Sequence, residues 1–204
     1  MTESGTGIAS RAGTAARALL ARTYSRLRLY ADRSLHWRRH ARVSDAMRKR
    51  PRPRTILVVC HGNICRSPYL AAVLRRALRD VEIVSAGFVG PGRPVPEHSV
   101  VIGQRKGLDL AAHRSQLLTP DHLKRADLVL VMDTRQAWLV QRLGYAADRV
   151  VVAADLDPVP GRRVITDPWG KSLDVFEASF KRLDRAANHL AAVLPRAKLA
   201  RTQV

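Results

Sequence analysis

Residues Thr55–Cys60 read Thr-Ile-Leu-Val-Val-Cys, a β-branched run whose consecutive apolar side chains leave no polar face. Such a strand must be covered on both sides, which points to the interior of a parallel sheet rather than to a half-exposed hairpin. The same character returns at Val81–Ser85, Asp127–Met132 and Arg149–Ala153. Between and after these runs the spacing is helical: Ser67–Arg79, 97–107 stopping at Gly107, Pro120–Arg125 capped by Thr119, Thr134–Leu143 ending at Gly144, and Ser172–Leu194. Alternating strands and helices without an internal repeat predict an α/β fold: one domain, a four-stranded parallel sheet and helices on both faces.

Composition agrees with a packed core, since 46% of the 204 residues are hydrophobic and 26% charged, which excludes a wholly disordered or collagen-like chain. Charge divides the chain. Residues 1–54 carry 14 Lys and Arg against 3 acids, a net of +11, whereas residues 55–204 carry 22 against 14, a net of +8. The run Arg48-Lys49-Arg50-Pro51-Arg52-Pro53-Arg54 combines like charges with two prolines and reads as an extended linker. The expected organisation is therefore a basic, partly helical or disordered arm at 1–54, a domain at 55–194 and a tail at 195–204.

Within the arm, Ala16, Leu20, Tyr24, Leu27 and Ala31 recur at helical spacing, with Arg22, Arg26 and Arg33 on the opposite side. A basic amphipathic helix of this kind suits an anionic membrane surface, nucleic acid or a protein partner, and a solvated extension is the alternative. An anionic membrane surface is the partner expected for residues 1–54, ahead of nucleic acid. The two cysteines, Cys60 and Cys65, are too few and too close to staple a secreted scaffold, so a reducing cytoplasm is expected, with peripheral attachment at the inner membrane surface through the arm. No apolar run approaches the roughly 20 residues that span a bilayer.

Chemistry is concentrated in Cys60-His61-Gly62-Asn63-Ile64-Cys65-Arg66-Ser67-Pro68, where a buried strand gives way to a helix. A loop entering a helix N-terminus turns successive N–H groups inward, a seat for a tetrahedral oxyanion. Gly62 is expected to take a conformation closed to other residues, and Asn63 to tolerate a left-handed backbone and tie the loop with its amide. Arg66, five intervening residues after Cys60, can grip two phosphate oxygens. The amides, the helix dipole and the guanidinium all favour thiolate at Cys60, making it a nucleophile. Ser67 is positioned to donate to that sulfur. Cys65 is read either as a packing residue or as a trap for oxidised Cys60.

A phosphocysteine route also needs an acid that protonates the leaving oxygen and then activates water. Two Asp-Pro pairs compete, Asp157-Pro158 and Asp167-Pro168-Trp169-Gly170, and Asp167 is favoured because an aromatic ring accompanies it. Trp169 is expected to line the mouth and stack on an aryl substrate, or else to cover the last helix. His61, Phe88 and Trp169 form the expected rim.

These motifs, with Ser85-Ala86-Gly87, His113, Ser115 and the Asp127–Met132 strand, resemble the low-molecular-weight protein tyrosine phosphatases over residues 55 to about 194. The resemblance implies phosphotyrosine hydrolysis with Cys60 as nucleophile, Arg66 as phosphate clamp and Asp167 as general acid. It implies substrate contacts from His61, Gly62, Asn63, Ile64, Cys65, Ser67 and Trp169, and no metal or organic cofactor. Trp169-Gly170 stands where many members carry two tyrosines. The run through Lys171-Ser172 is similar to bacterial members, some of which act on tyrosine kinases of polysaccharide export. Two rivals remain: an arsenate reductase drawing on a small external thiol, because no cysteine exists beyond Cys60 and Cys65, and an anion-binding module.

Overall fold

The computed structural model describes residues 30–196 and, within the arm, residues 17, 20, 23, 24, 26 and 27. Its elements are α1 (His36–Lys49), β1 (Thr55–Cys60), α2 (Arg66–Ala77), β2 (Glu82–Gly87), α3 (Glu97–Arg105), α4 (Pro120–Arg125), β3 (Leu128–Val131), α5 (Thr134–Arg142), β4 (Val150–Val152), α6 (Ala153–Leu156) and α7 (Leu173–Val193). The strands form one sheet in the order β2-β1-β3-β4, every pair parallel. All residues of β1 and β3 are buried, so both faces of the sheet are covered, as their unbroken apolar character requires.

Helix α2 packs on β1, β2 and α7, and α7 packs in turn on α6. Tyr69 of α2 stacks on Phe180 of α7 with ring centroids 3.8 Å apart, and Phe176 meets Phe180 edge-on. The Tyr69 hydroxyl donates to Asp184 at 2.7 Å; burial, and then that carboxylate, push its pKa upward. This layer fixes α2, and therefore the loop that precedes it.

Upstream of the boundary expected at Thr55, the chain is packed on the domain that follows. Helix α1 lies inside the packed unit, with His36, Ser44 and Met47 buried against α6 and α7. Arg39 lies 3.3 Å from the Asp155 carboxylate, and His40 Nδ1 meets the Asp155 carbonyl at 3.0 Å. His189 Nε2 pairs with the Ser44 hydroxyl at 2.7 Å, and the His40 and His189 rings sit 4.3 Å apart. Nor is 50–54 a loose linker. Arg50 donates to the Asp127 carbonyl, Arg52 makes two 2.6 Å bonds to Asp80 and a further one to the Pro195 carbonyl, and the Asp127 carboxylate accepts from the Arg54 and Thr55 amides. The Arg50 and Arg52 guanidiniums, like charges that would repel one another in a free chain, are each given an oxygen here. Ala16 and Arg22 of the arm, and the tail from 197 onward, lie outside the described residues.

Candidate active site

The order β2-β1-β3-β4 places the C-terminal ends of β1 and β3 at the point where the connections diverge to either side, the usual ligand crevice of an open parallel sheet. Cys60 closes β1 there, and the loop through Cys65 leads into α2 at Arg66. Asn63 is wholly buried with φ 50° and organises the loop. Its Nδ2 donates to Ser67 Oγ at 2.9 Å and to Ser85 Oγ at 3.0 Å, its Oδ1 accepts from the Gln116 amide at 2.9 Å, and its carbonyl accepts from His113 Nε2 at 2.8 Å. Burial holds the His113 pKa below its ordinary value against the opposing pull of that carbonyl, which keeps a neutral ring on this bond.

Ser67 Oγ donates in turn to Cys60 Sγ at 3.0 Å. Asn63 and Ser67, both expected to touch substrate, are buried beneath the loop and do not line the pocket. Their work is to hold the sulfur and the backbone in place. Gly62 also departs from expectation, because its φ is not left-handed; a Cβ there would come within 2.7 Å of Arg93 Nη2. Glycine at 62 makes room for that guanidinium, which donates to the Gly62 carbonyl at 3.0 Å.

Arg93 and Val89 are pocket residues that sequence reasoning missed. Both come from the loop after β2, folded back by Gly90 (φ 64°) and Gly92 (φ 79°) and tied by Ser115, which accepts from the Arg93 amide and donates to the Gly90 carbonyl. The available signal was topological: loops leaving the same end of adjacent parallel strands meet. Phe88 packs partly buried against the core, and Val89 takes its expected place on the rim.

Over the loop lies segment 164–167, fastened to the end of β3 by the Ile165 amide on the Met132 carbonyl (2.8 Å) and by a bridge between Asp133 and Val164. Arg66 is 4% exposed, donates Nη1 to the Ile165 carbonyl at 3.0 Å and pairs Nη2 with the Asp167 carboxylate. Its Nε is buried without a partner, a donor that a phosphate oxygen would satisfy. Asp167 is 45% exposed and also accepts from the Trp169 amide at 3.3 Å.

Together these side chains enclose a cavity of about 190 Å³ with Cys60, Arg66 and Asp167 in its lining and Ile64, Val89 and Trp169 as apolar walls. Cys65 also lines it, but burial, with the nearby Asp167 and Cys60 adding to it, pushes its pKa up to about 12, so it stands as a neutral thiol. A larger depression of about 670 Å³ lies among Arg50, Arg52 and Asp127 at the opposite end of the sheet and contains no nucleophile. Asp157, the rejected acid, is nowhere in the pocket: it is fully buried and clasped by Arg182 and Arg185.

The comparisons with known proteins agree with this geometry. A model of the family described as low molecular weight phosphotyrosine protein phosphatase matches residues 55–202. A protein of Ralstonia nicotianae named "Probable low molecular weight protein-tyrosine-phosphatase EpsP" is 37% identical over 137 residues, 66% of this chain and 92% of that one. The crystal structure of the Erwinia amylovora tyrosine phosphatase AmsI superposes with a TM-score of 0.66 at 34% identity, covering 71% of this chain and 95% of that one. The YwlE arginine phosphatase of Geobacillus stearothermophilus superposes with a TM-score of 0.62 at 33% identity, covering 69% and 92%. With a cysteine at the end of the central strand, an arginine at the start of the helix and a family match across the whole sheet, the chain belongs to the low molecular weight phosphotyrosine protein phosphatases.

Proposed function

We propose that this enzyme hydrolyses phosphotyrosine in proteins through a phosphocysteine on Cys60. The observation that carries the reading is the convergence of Cys60 Sγ, the Arg66 guanidinium and the Asp167 carboxyl on one small cavity. Arg66 Nε and Nη2 take two oxygens of the phosphate dianion, and Asp167 swings from the guanidinium to the ester oxygen. Cys60 thiolate attacks phosphorus in line, and Asp167 protonates the departing phenol. In the second step the Asp167 carboxylate takes a proton from water, the water oxygen bonds to phosphorus, and the P–S bond breaks. The hydrogen bond from Ser67 stabilises the sulfur as it leaves.

Phosphoarginine is the second reading, because a similar protein of Geobacillus stearothermophilus is named a protein-arginine-phosphatase. The pocket favours an aryl ring. Its walls are Ile64, Val89 and Trp169, Asp167 is its sole carboxylate, and Arg66 and Arg93 would repel a cationic leaving group. The finer reading of the substrate is a tyrosine kinase of polysaccharide export, supported by the bacterial character of the run from Asp167 to Ser172. Peptides carrying phosphotyrosine, phosphoarginine or phosphoserine, with arsenate plus a small thiol as a fourth arm, test the assignment. We expect kcat/KM to be highest for phosphotyrosine and Cys60→Ser to lose at least about 10³-fold in kcat. Turnover retained in Cys60→Ser would refute the mechanism, and faster phosphoarginine turnover would replace the substrate.

A further inference from the structure

At every described position from 17 to 34 the arm is helical, and four large side chains on it, Leu20, Tyr24, Leu27 and Tyr30, are each at least 65% exposed. Leu20, Tyr24 and Leu27 fall on one stripe with Ala31, Tyr30 lies beside it, and Arg26 and Arg33 lie toward the other side. Nothing in the described part of the domain covers this stripe, although apolar groups of this size are ordinarily buried. Among the described residues no helix is long and apolar enough to cross a membrane.

The arm also leaves the domain at a defined place. The C-terminus of α1 is joined through residues 50–54 to the start of β1, and its N-terminal residues Arg39 and His40 meet Asp155, three residues beyond the end of β4. Arg39 also donates to the Asp32 carbonyl, and both residues line a cavity of about 420 Å³ with Asp133 and Thr134, just past the end of β3. All strands are parallel, so the end at which β3 and β4 finish is the end at which β1 finishes in Cys60. The amphipathic helix therefore emerges from the catalytic end of the sheet.

We propose that this helix seats the protein on an anionic bilayer surface, with Leu20, Tyr24, Leu27 and Tyr30 entering the headgroup region and the phosphate pocket turned toward the same surface. Charge complementarity selects the occupant. The stretch 1–35 ahead of α1 holds 6 arginines against 2 acids; it is drawn to anionic lipid, and the apolar stripe then partitions beneath the headgroups. Duplex nucleic acid would satisfy the arginines and leave the stripe in water. A second copy packed stripe to stripe would cover the apolar side chains but leave the arginine side without a counter-charge, since no acid lies between residues 4 and 31. The substrate class follows as phosphotyrosine on membrane-borne proteins close to the bilayer, a consequence that rests on the phosphotyrosine reading above.

The test uses the full chain and a full-length triple variant, Leu20→Asp, Tyr24→Asp and Leu27→Asp, with vesicles of phosphatidylcholine alone or mixed with phosphatidylglycerol. We expect co-sedimentation with the anionic vesicles only, weakened at least about tenfold in the triple variant, while p-nitrophenyl phosphate turnover is unchanged. A phosphotyrosine peptide anchored to anionic vesicles should be hydrolysed at least about tenfold faster than the soluble peptide, an advantage absent from the variant. Failure of the full chain to bind anionic vesicles, equal binding by the variant, stripe-dependent binding to duplex DNA instead, or a lipid-free dimer abolished by the variant would each overturn docking. Vesicle binding without faster turnover of the anchored peptide would overturn the orientation. Vesicle binding without any p-nitrophenyl phosphate turnover would leave docking supported and strike the phosphatase reading alone.

Discussion

Two Asp-Pro dipeptides ten residues apart have opposite fates. Asp157 is 0% exposed and accepts hydrogen bonds from Arg182, Arg185 and the Val159 amide, whereas Asp167 is 45% exposed and has one cationic partner, Arg66. Burial alone would raise the Asp157 pKa, but the bonds from Arg185 and Arg182 outweigh it and hold the value below the ordinary carboxyl range. Such a carboxylate keeps its charge and its place. It ties α6 to α7 and cannot lend a proton at neutral pH. In the proposed mechanism Asp167 shares its one cationic partner with the incoming phosphate, so that substrate binding would free its carboxyl to move. The dipeptide supplies a turn; the number of guanidiniums around the carboxylate separates the brace from the proposed acid.

Four substitutions and one titration can break that contrast. Largest in effect, Asp167→Asn should lower kcat by about 10²–10⁴-fold toward phenyl phosphate and less toward p-nitrophenyl phosphate, whose phenolate leaves without help, and should not alter the urea midpoint. An equal loss on both substrates would mean that Asp167 positions Arg66 rather than donating a proton. Asp157→Asn should do the reverse, costing about 3 kcal/mol of stability by leaving two arginines without their buried counter-ion, while kcat per folded molecule is kept. Catalytic loss at full stability would erase the distinction. Ser67→Ala should slow breakdown of the phosphocysteine more than its formation, by about tenfold, read as a larger burst of phenol before steady state. Trp169→Ala should raise KM for aryl phosphates by a few-fold with kcat nearly constant.

The titration is smallest and concerns the brace. Because the folded Asp157 carboxyl ionises below 3.8, its stabilising contribution is complete above that pH and is lost as pH falls below it. His36 and His189 act earlier. Burial, then His40 and neighbouring arginines, hold both below 6.5, with Asp157 and Asp155 opposing the shift at His36. The unfolded chain therefore binds protons first, and stability should decline as pH falls through 6.5. Urea midpoints flat from pH 7 to about 5 would show that these rings do not oppose protonation where they sit.

Much of this was legible in the sequence. Continuous apolar runs made the strands, and the spacing from Cys60 to Arg66 between a strand and a helix defined the cradle. Asn63 took the left-handed backbone expected of it. What stayed hidden was hidden for physical reasons. The inner face of α1 consists of His36, Ser44 and Met47 with Arg39 and His40 bonded to Asp155, so a docked face reads as a solvated one. The short helix α6 completes no heptad and leaves no periodic trace. Arg93 was obscure because its place depends on two glycine turns and a serine 22 residues away. Asn63 and Ser67 were read both as ties within the loop and as substrate contacts; the hydrogen bonds of the first reading are present, while neither side chain lines the pocket, since a motif gives spacing and not depth.

The passage from α1 to β1 has a mechanical consequence. Residues 50–54 are fastened to Asp80, Asp127 and Pro195, three separate parts of the body, and α1 is itself pinned by Asp155 and His189. A pull on the N-terminus is borne by these links one after another before any tension reaches Thr55. Force applied through the arm is therefore taken up at the surface of the body, away from the strand that ends in the sulfur.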